Sequence, residues 1–175
     1  ALARFESAGI QAEPVPQGHW SFPYANLSIH RRDDWMVSMK GYGKYVWASE
    51  IYSPTNRFGR NQSNGAIEIY NRGGQAASGY RVEGWDWNRI PGTTTLNLPL
   101  KELLPTIDVT MHSSLETTVG GTHLDRKHGV FGMILNETDF GHVLAARKSA
   151  FCFDDRIICL GSGIQSTHAT CPVQT

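Results

Sequence analysis

The sequence predicts an all-β fold, an antiparallel β-sandwich, and three observations carry that prediction. From Trp20 onward apolar residues recur with a period of two, the signature of strands with one face buried. Turn-forming Gly, Asn, Asp and Pro interrupt these runs at short intervals. No segment after residue 20 keeps the 3.6-residue period of an amphipathic helix. Composition agrees: charged residues make up 18% of the 175, against the usual quarter, while there are 18 glycines and 5 tryptophans. The length suits one domain or a large piece of a larger protein.

The elements follow in order. Residues 1–10 carry Leu2, Phe5 and Ile10 and read as the end of a helix. "EPVPQGHW" (13–20) reads as an extended linker, because each proline pushes the preceding residue out of helical geometry. The expected division is therefore a linker over 1–18 and a sandwich over 19–175. "YANLSIHR" and "WMVSMKGY" alternate around "RRDD" and predict a hairpin. "KYVWASEIY" (44–52) and "AIEIYN" (66–71) have strand composition and flank a polar loop (53–65). "GYRVEGWDW" and "TTTLNLPL" predict a further pair around "NRIPG". "GVFGMIL" (129–135), "HVLAARKSAFCFDD" (142–155) and "RIICLGSGI" (156–164) complete about ten strands, the last two joined at "DDR". The chain stops at "THATCPVQT" without an evident closing element, so a sandwich truncated at its C-terminal side is expected. The opening "ALARFESAGI" has no initiating Met and no signal-peptide pattern, and is expected to belong to a processed or excised piece.

Several function classes are disfavoured. Sixteen basic and sixteen acidic residues give no global attraction to nucleic acid or anionic membrane. No apolar run is long enough to span a membrane as a helix. There is no GxSxG, P-loop, dinucleotide fingerprint, HExxH or paired CxxC. Cys152, Cys159 and Cys171 lack metal-ligand spacing, and the apolar runs around Cys152 and Cys159 predict buried free thiols. No cofactor is expected, and a divalent cation is left open without any motif to support it.

Three stretches carry candidate chemistry. "NRFGRNQSNG" (56–65) gathers Arg57, Arg60, Asn61 and Gln62: guanidinium suits carboxylate or sulfate, and amides suit sugar hydroxyls. A solvated loop making its own turns is the competing reading. Trp85 and Trp87, two residues apart, would share one face of a strand, as core or as a platform for a sugar ring. "HLDRKH" (123–128) is the one histidine cluster, with His123, Asp125 and His128. It suits an acid–base group, a substrate contact or an ordinary turn.

The order of these motifs resembles the central sandwich of polysaccharide lyase family 8, and most of all the chondroitin sulfate ABC lyases. The likeness rests on "WASEIYSPTNRFGRNQSNG", "EGWDWNRIPGTTTLNLPLKEL", "GGTHLDRKHGVFGM" and "ARKSAFCFDDRIICLGSGI". The resemblance implies a secreted or periplasmic bacterial enzyme in which an N-terminal α/α toroid precedes the sandwich. It implies β-elimination at the uronic acid of an acidic polysaccharide such as chondroitin sulfate, dermatan sulfate or hyaluronan. In the family a His, a Tyr and an Arg of the toroid supply most of the chemistry, and none of these carries over to this sequence. An auxiliary acidic residue of the sandwich, a Glu in a Ser-Leu-Glu loop, corresponds to Asp125 in the preferred alignment and to Glu116 of "SSLE" in a rival one. Arg57, Arg60, Asn61 and Gln62 match a loop near the family's interdomain cleft. Trp85, Trp87, Asn88 and Arg89 match a family signature, and His123 lies beside Asp125 as a further substrate contact. The resemblance thus implies the toroid of the same protein as a partner, and a sandwich inactive without it. The competing function is a non-catalytic carbohydrate-binding module.

Overall fold

A computed structural model describes residues 2–52, 58–73, 77, 81, 84–104, 109–138 and 141–175. Two four-stranded antiparallel sheets dominate it. The first has the order β1 (Gly18–Phe22), β2 (Leu27–Arg32), β3 (Trp35–Lys40), β5 (Ala66–Tyr70). The second has the order β11 (Arg156–Ser166), β10 (Leu144–Phe153), β9 (His128–Glu137), β8 (Val119–Leu124). Two short pairs complete the set: β4 (Glu50–Tyr52) with β7 (Val109–Met111), and β6 (Thr95–Leu96) with β12 (Val173–Gln174). One short α-helix spans Leu2–Ser7, and residues 10–17 carry no regular structure.

The hairpin turns are built from aspartates where the sequence placed them. Asp33 and Asp154 take φ of 41° and 51°, the left-handed conformation that two-residue turns require and that Asp tolerates. Each turn sets the register of its strands, so that alternate side chains meet between the sheets. Val37 and Met39 of β3 pack against Phe131 of β9 and Ala150 and Cys152 of β10. Farther along, Met133, Leu135, Leu144 and Ala146 pack with Tyr42, Leu96, Leu98 and Leu103. Each large side chain buried here contributes roughly 1.5–3 kcal/mol. Lys148 lies on the inward side of β10 between these groups. Its Nζ donates to Gly92 O (2.5 Å) and Thr94 Oγ1 (2.7 Å), and burial pushes its pKa down to about 8.

Four sequence-based expectations differ from the structure. Within 44–52 only Glu50–Tyr52 is strand; the 44–49 segment instead runs as a loop hydrogen-bonded to residues 112–116. The predicted hairpin around "NRIPG" does not form among the described residues. Residues 84–94 make turns, and Thr95–Leu96 pairs with Val173–Gln174. β8 was not anticipated, because "VGGTHL" lacks alternation. Gly121 is there for close approach: a Cβ would collide with Ser28 Oγ of the first sheet. Finally, Cys159 is exposed while Cys152 is buried. β11 is an edge strand, and most of its apolar residues, Ile158 and Leu160 among them, face outward.

Candidate functional site

The described part of the arginine-rich loop, residues 58–64, is largely interior. Arg57 falls outside the described residues. Gly59–Asn61 forms a 3-10 turn that drives the Arg60 side chain between the sheets, where it is 3% exposed. Its Nη2 donates to Glu137 Oε1 at 2.6 Å, and Glu137 is 1% exposed. His142 Nε2 lies 3.3 Å from Arg60 Nη2, and Asn64 Nδ2 donates to Glu137 Oε2 at 3.4 Å. Such a pair repays its desolvation only by satisfying every oxygen and N–H it contains. Asn61 is buried as well, donating to Trp87 O (3.4 Å), whereas Gln62 faces solvent. A polysaccharide could reach Arg60 only after this knot was opened. Sequence reasoning missed Glu137 and His142, although Glu137 follows Phe131, Met133 and Leu135 at the inward spacing of β9. An acid at such a position demands a buried partner.

The tryptophan segment is a turn rather than a strand. Asp86 Oδ1 accepts from Asn88 N (2.9 Å), and Asn88 Nδ2 donates to Leu98 O (2.7 Å). Trp87 packs on the core and on Phe58, with ring centroids 6.1 Å apart. Trp85 meets Trp87 edge-on at 6.5 Å. Asn88 is buried, whereas Arg89 is exposed and pairs with Asp86 at 3.6 Å.

"HLDRKH" forms the tip of the β8–β9 hairpin. Asp125 and Arg126 take φ of 50° and 55°, and His123 through Lys127 are exposed. His123 Nδ1 accepts from Arg126 N at 3.4 Å, closing the turn. A shallow cleft at the tip is lined by Asp125, Arg126 and Lys127 together with Gln17, Arg32 and Asp154. There Arg32 Nε donates to Asp154 Oδ1 at 2.8 Å, and Lys127 Nζ lies 3.3 Å from Oδ2. Slight burial opposes ionisation of Asp154, but the hydrogen bonds from Lys127 and Arg32 outweigh it and lower its pKa.

Glu116 stands at the opposite end of β8. A six-residue strand spans about 20 Å, so Glu116 and Asp125 cannot serve one reacting centre. Asn136 Nδ2 donates to Glu116 Oε1 at 3.1 Å, giving the carboxylate a defined orientation. The 43–48 segment lies alongside: Lys44 N donates to Glu116 O (2.8 Å) and Ala48 N to His112 O (3.0 Å). This contact displays Tyr45 (77% exposed) and Trp47 (53% exposed), with Lys44 Nζ 5.7 Å from the Tyr45 ring centroid. Exposed aromatic rings and a cation suit an anionic sugar chain, and an oriented carboxylate can accept hydrogen bonds from its hydroxyls. The sequence did not single out Tyr45 or Trp47, because they read as alternating strand residues.

Comparison with known proteins settles the family. Residues 17–175 match polysaccharide lyase family 8, super-sandwich domain. The chain belongs to this family. It is 37% identical to the chondroitin sulfate ABC exolyase of Bacteroides thetaiotaomicron, over 98% of this chain and 18% of the relative. It is 38% identical to the chondroitin sulfate ABC endolyase of Proteus vulgaris, over 97% of this chain and 18% of the relative. The solved structure of Streptomyces coelicolor A3 chondroitin AC lyase in complex with chondroitin sulphate superposes with a TM-score of 0.74 at 25% identity, over 98% of this chain and 23% of that one. The family 8 sandwich described here thus spans less than a quarter of each of these relatives.

Proposed function

We propose that this domain is the sandwich part of a glycosaminoglycan lyase and is inactive alone. The observation that carries this is the 37–38% identity to two chondroitin sulfate ABC lyases across nearly the whole chain. In the reaction a base removes the C5 proton of a uronic acid, the electron pair forms the C4–C5 double bond, and the C4–O bond breaks. The departing oxygen takes a proton and leaves as a hydroxyl. The intermediate charge needs stabilisation beside the carboxylate, which a toroid of the same protein would supply together with the base and acid. The sandwich contributes positioning. Glu116, oriented by Asn136 and flanked by Lys44, Tyr45 and Trp47, supports that role better than Asp125 at the open hairpin tip. A polymeric substrate of this size also favours work outside the cytoplasm, which fractionation of the producing cells would test.

The experiment follows the ultraviolet absorbance of the new double bond with chondroitin sulfate, dermatan sulfate and hyaluronan. The full-length protein should form it and these 175 residues should not. Turnover by the 175 residues alone would overturn the division of labour, and its absence from the full-length protein would remove the lyase assignment. The exposed Lys44–Tyr45–Trp47 face also fits a non-catalytic glycan-binding module. Salt-sensitive binding without turnover by the full-length protein would favour that reading.

A further inference from the structure

Between the two sheets lies a polar cluster that the lyase reading does not use. His19 of β1 and His30 of β2 are cross-strand partners whose side chains are completely buried. Cys152 of β10, also completely buried, meets them from the opposite sheet. One ligand atom from each of the three lies within 4.8 Å of the others. Met39 completes the surroundings, its Sδ 4.0 Å from Cys152 Sγ. The strand residue opposite Cys152 on β9 is Gly129, where a Cβ would collide with the His19 ring. The missing side chain makes the room that His19 fills.

The hydrogen bonding leaves ring nitrogens turned into this cluster without a protein partner among the described residues. His30 Nε2 lies 2.7 Å from Asp154 O, and a carbonyl only accepts, so Nε2 carries the proton and Nδ1 keeps its lone pair. Among the described residues His30 Nδ1 and both ring nitrogens of His19 are buried without a hydrogen-bond partner. Metal-binding histidines are commonly held this way, one nitrogen on a backbone carbonyl and the other on the ion.

We propose that His19, His30 and Cys152 form a buried site for one thiophilic metal ion, copper(I), with Met39 as a weak fourth neighbour. Three donors within 4.8 Å leave a central ion no more than about 2.8 Å from each. Small side-chain adjustments bring that to the roughly 2.0–2.3 Å of bonds to imidazole and thiolate. Binding displaces the thiol proton, so Cys–SH and Cu⁺ give Cys–S–Cu and H⁺. The product is neutral, whereas zinc(II) with the same single thiolate would leave a net positive charge in a dry interior. The thiolate and thioether are soft donors that favour copper(I), and the two imidazoles suit copper as well. Because the ligands come from both sheets, the ion acts as a clamp across the sandwich and stabilises the folded state.

The test is anaerobic competition of the full-length protein against a chromophoric copper(I) chelator, with a parallel titration by zinc(II). The wild type should take one equivalent of copper(I), with a raised melting temperature. C152S and H19Q should weaken binding at least a hundredfold, while C159S/C171S should leave it unchanged. X-ray absorption of the loaded wild type should show mixed nitrogen and sulfur ligation, a readout independent of how the variants fold. Failure of the wild type to bind one equivalent, sulfur-only ligation, or loss of binding in C159S/C171S would overturn the site. Preference for zinc(II) over copper(I) would overturn the choice of metal.

Discussion

Two regions dense in polar and aromatic residues have opposite fates in this domain. The 58–64 loop turns its arginine and asparagines inward and fastens the sheets through Arg60 and Glu137. The 43–48 segment, beside Glu116, turns Tyr45 and Trp47 outward. Both are loops rich in groups that could grip a sugar, and their composition alone does not separate them. The difference lies in what stands opposite. Glu137, at an inward position of β9, draws a guanidinium into the core. No comparable buried charge faces Tyr45 among the described residues. An arginine in a loop is therefore evidence of binding only once its counter-ion has been located.

Breaking the inner region should produce the largest effect. Glu137→Ala leaves Arg60 buried without its anion and should cost about 3–5 kcal/mol of stability in urea unfolding. A loss below about 1 kcal/mol would mean that the pair is not what fastens the sheets. Acid should attack the interior of the metal-free protein next. The folded His19 pKa lies near 4 and the unfolded value near 6.5, so between these values the unfolded chain binds the extra proton. Stability is then full above about pH 6.5 and falls as pH drops toward 4, by about 3 kcal/mol from His19. His30, also lowered by burial despite its bond to Asp154 O, adds to the same slope. Unfolding titrations across that window should show H19Q with the shallower dependence.

The outer region should answer in activity rather than stability. In the full-length protein Glu116→Gln should lower kcat roughly ten- to hundredfold, with stability changed by less than about 0.5 kcal/mol. An unchanged kcat would remove Glu116 from the site. Tyr45→Ala and Trp47→Ala should each raise KM about two- to tenfold, corresponding to about 0.5–1.5 kcal/mol of aromatic contact. Steady-state kinetics at two salt concentrations would separate this from charge effects. Asp125→Asn should change least, with stability and kcat both near wild type. A larger kcat loss there than at Glu116 would reverse the assignment between the two ends of β8.

Much of the framework was legible before the structure. The turns at Asp33 and Asp154, and the strands of β2, β3, β5, β9, β10 and β11, follow from alternation and turn chemistry that act over a few residues. The glycine-bearing β8 escaped because its pattern is set by Ser28 on another sheet. Trp85 and Trp87 were read as strand residues, whereas Asp86 and Asn88 hold them in a turn. Cys159 was read as buried because its neighbours are apolar, yet β11 lies at a sheet edge. Of the candidate site, Glu116 and Asp125 could both be proposed from the sequence, but their separation in space could not be read. Their distance depends on the hairpin that lies between them.

The sequence by itself determined the all-β class, the hairpin turns and the family, because period, turn residues and motif order are local or ordered along the chain. Only the tertiary structure decided which polar groups are buried. His19 and Cys152 stand 133 positions apart, and Arg60 and Glu137 stand 77 apart. Neither spacing resembles a motif, since sheet packing rather than chain proximity brings these groups together. Whether an arginine meets solvent or a carboxylate depends on the facing sheet, and no window of sequence contains both.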